Sequence, residues 1–129
     1  MQQDQITGYS EKLQIEKRYV TVTTKETLLE MVEAIEEASR ISLDTETTSL
    51  NPRKGKIIGF SITTKIGTGF YLPTLKWNNY TQKLEELLIE GKSTHNIAVR
   101  VMKMLKGKKL ICHNASFDPR YIKNYYGVS

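Results

Sequence analysis

The stretch "RISLDTETT", residues 40–48, decides how this sequence is interpreted. It begins as the apolar half of a β-strand and then places Asp44 and Glu46 two residues apart. Alternate residues of a strand share a face, so both carboxylates point one way while Leu43 and Thr45 point the other. Two like charges about 7 Å apart repel each other unless a cation lies between them. The pattern indicates a strand with a functional face.

The composition predicts one globular domain in a reducing compartment. The chain has 129 residues, of which 39% are hydrophobic and 26% charged. Its single cysteine, Cys112, excludes an intramolecular disulfide. No apolar run approaches the length of about 18 residues that a membrane span needs, and the first residues are too polar for a secretory signal. We therefore expect a cytoplasmic protein without a membrane partner.

Charge is distributed unevenly along the chain. Residues 1–50 carry 5 basic and 10 acidic residues, whereas residues 51–129 carry 14 basic and 4 acidic residues. A basic excess in one part of a chain is typical of proteins that bind a polyanion. Surface lysines that only keep the protein soluble would give the same pattern, so both interpretations stay open.

Hydrophobic periodicity predicts a mixed β-sheet flanked by helices, an α/β fold. Thr23 and Glu26 have the spacing of a capping box at the start of the first helix. A tight turn around 65–67 joins two strands as a hairpin. The predicted strands are 19–24, 40–48, 56–64, 67–73 and 108–114, and the predicted helices are 23–40, 81–90, 94–107 and 118–127.

A third carboxylate follows a later strand in "LICHNASFDPRYI", residues 110–122. If the strand 108–114 lies beside 41–47, Asp118 can approach Asp44 and Glu46. Three converging carboxylates favour a hard cation such as Mg²⁺ or Mn²⁺. The chain lacks the Cys and His pairs of a zinc site, a G-x-S-x-G elbow and a P-loop. Two plainer readings remain, a solvated strand face for the first pair and a helix cap for Asp118.

These two segments together resemble a known enzyme family. "SLDTETTSL", followed 74 positions after Asp44 by Asp118 in "CHNASFD", resembles motifs I and II of the DEDD (DnaQ-like) 3′→5′ exonucleases. The context looks most like the proofreading exonuclease domain of family A (polymerase I type) DNA polymerases, over roughly residues 19–127. The resemblance implies a ribonuclease-H-like fold. It also implies two-metal hydrolysis with Mg²⁺ or Mn²⁺, which releases nucleoside 5′-monophosphates from single-stranded DNA 3′ ends.

The resemblance also assigns roles to individual residues. Asp44, Glu46 and Asp118 would be the catalytic carboxylates and the metal ligands. Four more positions match substrate-binding positions of the family. Thr47 and Leu50 match those that meet the terminal nucleotide, Asn114 matches an asparagine near the substrate strand, and Phe117 stands where an aromatic is usual.

One family element has no match in this sequence. Motif III, a Tyr or His followed by an Asp, normally lies some tens of residues beyond motif II, and this chain continues for only 11 residues after Asp118. We therefore expect an N-terminal lead-in, 1–18, and the N-terminal part of an exonuclease domain, 19–129, truncated before motif III. The C-terminal part of the fold would be missing.

Such a piece is expected to need a partner, either a polymerase or the remaining exonuclease polypeptide. A split viral replication gene acting in the host cytoplasm would produce it. Two alternatives remain open: an RNA-trimming exonuclease like ribonuclease D, and a degenerate module that binds nucleic acid or a polymerase without cutting.

Overall fold

The computed structural model describes residues 17–49, 51, 54–111 and 119–128. Its strands are β1 (Arg18–Thr21), β2 (Arg40–Thr47), β3 (Ile57–Thr63), β4 (Thr68–Pro73), β5 (Leu75–Asn78), β6 (Lys83–Glu86), β7 (Leu88–Ile89), β8 (Lys92–Ser93) and β9 (Lys109–Ile111). Its helices are α1 (Lys25–Glu37), α2 (Thr94–Met104) and α3 (Pro119–Tyr126).

Five strands form one mixed sheet in the order β1-β4-β3-β2-β9. The central strands β2, β3 and β4 form an antiparallel meander. β1 pairs in parallel with β4, and β9 pairs in parallel with β2. The predicted mixed sheet with helices is therefore confirmed, and so is the expected neighbourhood of the 40–48 strand and the strand before Asp118.

The hairpin between β3 and β4 forms as predicted. Gly67 has a φ of 82°, a left-handed conformation that glycine adopts without steric cost. The Thr68 N–H and its side-chain hydroxyl both donate to the Lys65 carbonyl, at 3.1 Å and 2.8 Å. This tight turn brings β4 beside β3 and so determines which residues of the two strands face each other.

One face of the sheet forms the core. Its inward side chains alternate along the strands, and helices α1, α2 and α3 add to the same hydrophobic cluster. The buried members from the main sheet are Ile41, Leu43, Ile57, Phe60, Ile62, Phe70 and Leu72. Those from the helices are Met31, Ile35, Ala98, Val101, Met102 and Tyr126. The opposite face is therefore left to polar and aromatic side chains.

The predicted cap of the first helix was wrong by one residue. Thr24, not Thr23, is the N-cap, and its hydroxyl accepts a hydrogen bond from the Thr27 N–H at 3.1 Å. The Thr27 hydroxyl accepts in turn from the Thr24 N–H, which completes a capping box without Glu26. The helix begins one residue later because Thr24 is extended, with φ −127° and ψ 164°.

The predicted helix over 81–90 was wrong, because this segment forms strands. β6 pairs antiparallel with β5, and Trp77 lies opposite Leu84. Further on, β7 and β8 form a two-residue hairpin in which Glu90 and Gly91 both have positive φ, as a type I′ turn requires. Gly91 therefore closes a turn and does not end a helix.

Lys108 connects α1 to the edge of the sheet. Its ammonium group donates to the carbonyls of Glu36 and Ala38, at 3.1 Å and 2.7 Å, where α1 ends. The next residue, Lys109, donates its N–H to the Ser39 carbonyl at 3.0 Å. These bonds align β9 with β2. α2 ends at Met104, three residues earlier than predicted.

Candidate active site

Strand β2 presents its two carboxylates on one face. Leu43 and Thr45 are 1% and 5% exposed, whereas the side chains of Asp44 and Glu46 are exposed. β2 has a neighbour on both sides: β3 pairs along Asp44 and Glu46, and β9, in the described part of the chain, pairs with Arg40–Ser42 just before them. The backbone beneath both carboxylates is therefore held by the sheet.

Neighbouring strands add polar groups to the same face. Asp44 lies opposite Ser61, and Ser61 lies opposite Tyr71. Glu46 lies opposite Gly59, which has no side chain. Residues in register share a face, so these side chains line a common surface.

Tyr71 is a candidate functional residue that sequence reasoning missed. Its hydroxyl donates a long hydrogen bond, 3.4 Å, to Oε2 of Glu46. Partial burial raises the pKa of Tyr71, and the nearby Glu46 carboxylate raises it further. Alternation along "GTGFYLP" indicates that Tyr71 faces away from the core, but no local pattern indicates its partner.

The β2–β3 pairing changes register immediately after the carboxylates. Glu46 pairs with Gly59, but Thr47 pairs with Ile57, so Ile58 is an extra residue in β3 and forms a bulge opposite Glu46 and Thr47. The Thr47 hydroxyl, half-buried, donates to the Ser49 carbonyl at 3.0 Å. Bulges of this kind redirect the side chains that follow them.

The other predicted site residues lie outside the described residues: Leu50, Asn114, Phe117 and Asp118. The flanking elements are described. β9 runs parallel to β2, with Ile111 opposite Ser42, and α3 begins at Pro119. The carboxyl ends of parallel strands meet at the same edge of a sheet, so the chain leaves β9 towards the end of β2 that carries Asp44 and Glu46.

The donor set on β2 suits a hard cation. Both side chains offer carboxylate oxygens, which Mg²⁺ and Mn²⁺ prefer. Over residues 17–111 and 119–128, leaving out the undescribed positions, no group of three His, Cys, Asp or Glu side chains could hold a metal ion. Asp44 and Glu46 are thus two potential ligands of a site whose third predicted member, Asp118, lies outside this part of the chain.

An aromatic cluster holds α3 in place. The His95 ring lies 5.3 Å from the ring of Tyr125 and 5.2 Å from that of Tyr126, between ring centroids. Tyr126 also packs edge-on against Phe60 in β3, at 6.5 Å. Burial raises the pKa of Tyr126, with a smaller contribution from Tyr125. The helix that follows Asp118 is therefore packed against the same sheet that carries the carboxylates.

Among the helices that the structure describes, none has the length and apolar character needed to cross a membrane.

Two solved structures have a similar fold. The EXO domain of Nibbler from Aedes aegypti is 10% identical, with a TM-score of 0.54 over 86% of this chain and 47% of that chain. The catalytic core of RRP6 from Trypanosoma brucei is 16% identical, with a TM-score of 0.51 over 89% of this chain and 28% of that chain. At these identities the likeness concerns the fold alone. It confirms the expected ribonuclease-H-like exonuclease fold.

Sequence comparison defines the family. A family model described as 3′–5′ exonuclease matches residues 19–129. DNA polymerase I from Borreliella burgdorferi is 33% identical over 110 residues, which are 83% of this chain and 11% of that protein. This chain belongs to the 3′–5′ exonuclease domain family, and the relative confirms the polymerase I type of the resemblance.

Proposed function

We propose that this chain is the leading part of a proofreading exonuclease domain that removes nucleotides from the 3′ end of single-stranded DNA. The observation that carries the proposal is the pair Asp44 and Glu46, exposed on one face of an interior strand beside the parallel strand β9. Membership of the exonuclease family supports the reaction class, and the polymerase relative supports DNA as the substrate.

The three carboxylates Asp44, Glu46 and Asp118 are the proposed metal ligands and catalytic residues. Two divalent cations, Mg²⁺ or Mn²⁺, would supply Lewis-acid chemistry at the scissile phosphate. The carboxylates hold negative charge where cations must bind, and β2 fixes the backbone positions of the first two. Water attacks the last phosphodiester, so a nucleoside 5′-monophosphate leaves and the shortened strand keeps a 3′-hydroxyl.

Four residues are proposed to bind the terminal nucleotides: Thr47, Leu50, Asn114 and Phe117. Thr47 comes directly after the register shift between β2 and β3, beside the carboxylates. The basic excess of residues 51–129 favours a polyanion at this end of the chain. Single-stranded ends suit such a site because a paired end must first separate.

The domain boundaries and the partner belong to the same proposal. Residues 1–18 are a lead-in, and residues 19–129 form the N-terminal part of the exonuclease domain. The chain spans 11% of its polymerase relative. A polymerase or the remaining exonuclease polypeptide is the proposed partner. The single cysteine favours action in the cytoplasm.

Excision of labelled oligonucleotides tests this function. The chain is incubated with a 3′-labelled single-stranded DNA, or with an RNA of the same sequence, in the presence of Mg²⁺ or Mn²⁺. With the polymerase partner added, we expect metal-dependent release of mononucleotides from DNA that Asp44→Ala abolishes. Glu33→Ala, which removes an exposed carboxylate from α1, is the matched control and should retain full activity.

Other outcomes favour the alternatives. Release from RNA but not from DNA would replace the proofreading function with RNA trimming. Binding of single-stranded DNA without metal-dependent release, even when the polymerase partner is added, would indicate a module that binds without cutting.

A further inference from the structure

The phenol ring of Tyr71 crosses a strand to reach Glu46. By register Tyr71 stands in the row of Ser61 and Asp44, and Glu46 stands in the next row, opposite Gly59. The Tyr71 hydroxyl nevertheless lies 3.4 Å from Oε2 of Glu46. The side chain therefore runs diagonally over β3 instead of standing straight above its own row.

Gly59 makes this crossing possible. A Cβ atom at position 59 would lie 2.5 Å from the Tyr71 hydroxyl oxygen and 2.8 Å from Cζ of its ring. Both distances are far shorter than a van der Waals contact. The ring thus rests on bare backbone, and only glycine leaves room for it.

The contact constrains a side chain that is otherwise free to move. Glu46 is exposed, and a glutamate side chain has several rotatable bonds whose ordering costs free energy. A hydrogen bond to Oε2 holds one oxygen and leaves the other oxygen and further lone pairs available. Because a phenol is neutral, it orients the carboxylate without cancelling the charge that would attract a cation, which a lysine would do.

We infer that Tyr71 is a positioning residue for Glu46 and sets the affinity of the metal site through that carboxylate. This inference rests on the proposed function, since it assumes that Glu46 is a metal ligand. The hydroxyl of Tyr71 hydrogen-bonds to Glu46. It acts by preparing a ligand, as groups that hydrogen-bond to metal ligands do in other proteins.

The chain offers a matched control. Tyr19 of β1 is 71% exposed, and its ring lies against Gly69 as the ring of Tyr71 lies against Gly59. In the described part of the chain, the hydroxyl that hydrogen-bonds to Glu46 belongs to Tyr71. Tyr71→Phe and Tyr19→Phe therefore each remove one hydroxyl from a tyrosine packed on a glycine, and only the first should affect the carboxylate.

Binding of Mn²⁺ to the full chain measures the effect without requiring activity. The free ion is followed by its electron paramagnetic resonance signal, and folding is checked by the thermal midpoint. We expect Tyr71→Phe to weaken Mn²⁺ binding about tenfold and Tyr19→Phe to leave it unchanged. The metal concentration for half-maximal excision should rise by the same factor, with the rate at saturating metal retained.

A double-mutant cycle tests whether the effect passes through Glu46. With Glu46→Gln in place, adding Tyr71→Phe should cause no further loss of Mn²⁺ affinity. An equal further loss would overturn the inference, because Tyr71 would then act by another route. The cycle also separates a local effect from a change in folding, which would appear in both backgrounds.

The inference and the proposed function fail in different ways. Unchanged Mn²⁺ affinity in Tyr71→Phe, with binding lost in Asp44→Ala, would overturn the inference and leave the proposed function intact. No Mn²⁺ binding by the unaltered chain, with or without single-stranded DNA, would overturn both.

Discussion

Thr45, between the two carboxylates, faces the core. Its side chain is 5% exposed, and its hydroxyl has no hydrogen-bond partner in the described part of the chain. A buried hydroxyl without a partner costs free energy, and valine has nearly the same shape. We expect Thr45→Val to raise the free energy of unfolding by about 1 kcal/mol. Urea denaturation measures this, and the exposed face of β2 should be unaffected.

Thr94 provides the opposite case. It is 1% exposed, but its hydroxyl donates to the carbonyls of Leu87 and Thr74, at 2.6 Å and 3.2 Å. The same exchange, Thr94→Val, should lower the free energy of unfolding by about 1 kcal/mol because the bonds of the hydroxyl are lost. The Leu87 carbonyl keeps its bond from the Thr94 N–H, and the Thr74 carbonyl keeps its bond from the Leu87 N–H. Urea denaturation compares the two substitutions. Equal changes in the free energy of unfolding would mean that the hydrogen bonds of the hydroxyl groups do not determine either result.

Two glycines in the sheet should respond differently to alanine. At Gly59 a new Cβ would meet the Leu72 carbonyl oxygen at 2.8 Å as well as the ring of Tyr71, and the backbone cannot move aside. At Gly69 the nearest atom is 3.1 Å away, in the exposed ring of Tyr19. We expect Gly59→Ala to cost about 1–3 kcal/mol of stability and Gly69→Ala much less. Thermal denaturation of both variants measures this. A lower thermal midpoint for Gly69→Ala than for Gly59→Ala would contradict the expectation.

At the scale of secondary-structure elements, Glu86 stabilises the start of α2. Its carboxylate accepts hydrogen bonds from the hydroxyl of Ser93, the N-cap, and from the His95 N–H, the latter at 3.1 Å. The bond from Ser93, followed by the bond from the His95 backbone, lowers the pKa of Glu86 below its ordinary 4.5. A carboxylate near a helix N-terminus is also favoured by the helix dipole.

The sign of the resulting pH dependence follows from the lowered pKa. The folded state binds the proton more weakly than the unfolded state, so the contribution of Glu86 is complete above about pH 4.5 and is lost as the pH falls through the folded-state pKa. Glu86→Gln should therefore be less stable than the unaltered chain near pH 7, and the difference should shrink as the pH falls below about 4.5. Because Glu86 is exposed, solvent screening keeps the difference below about 1 kcal/mol.

Urea denaturation of both chains between pH 3 and pH 7 measures this difference. A constant difference over that range would contradict the assignment to ionisation of Glu86.

The sequence predicted those strands and helices whose pattern is contained within the segment itself. Alternation identified β2, β3 and β4, and an apolar stripe identified α1. The helix prediction for segment 81–90 was wrong because its leucines and glutamates suit a helix. Pairing with β5 depends instead on a turn in which Gln82 adopts a φ of 57°. The contact of Tyr71 with Glu46 could not be predicted for a related reason: it joins residues 25 positions apart through the register of three strands.

At the scale of the whole molecule, metal binding should stabilise the fold. A ligand that binds only the folded state adds about 1.4 kcal/mol at ten times its dissociation constant. For a chain of this size that corresponds to an increase of several degrees in the thermal midpoint. We expect Mn²⁺ to raise the thermal midpoint, and EDTA to reverse the increase.

Asp44→Ala separates this effect from nonspecific binding. The variant lacks one proposed ligand, so its thermal midpoint should not respond to Mn²⁺ over the same concentrations. An equal increase in both chains would mean that the metal binds elsewhere.

The parallel pairing at both ends of the sheet has a consequence for folding kinetics. β2, β3 and β4 are joined by short connections and can assemble quickly, whereas β1 must find residues 50 positions away and β9 residues 69 positions away. Long loops close slowly, so the meander should form early and the outer strands should dock late. The strand that leads towards Asp118 would then be among the last to arrive, which would make completion of the proposed carboxylate site a late event in folding.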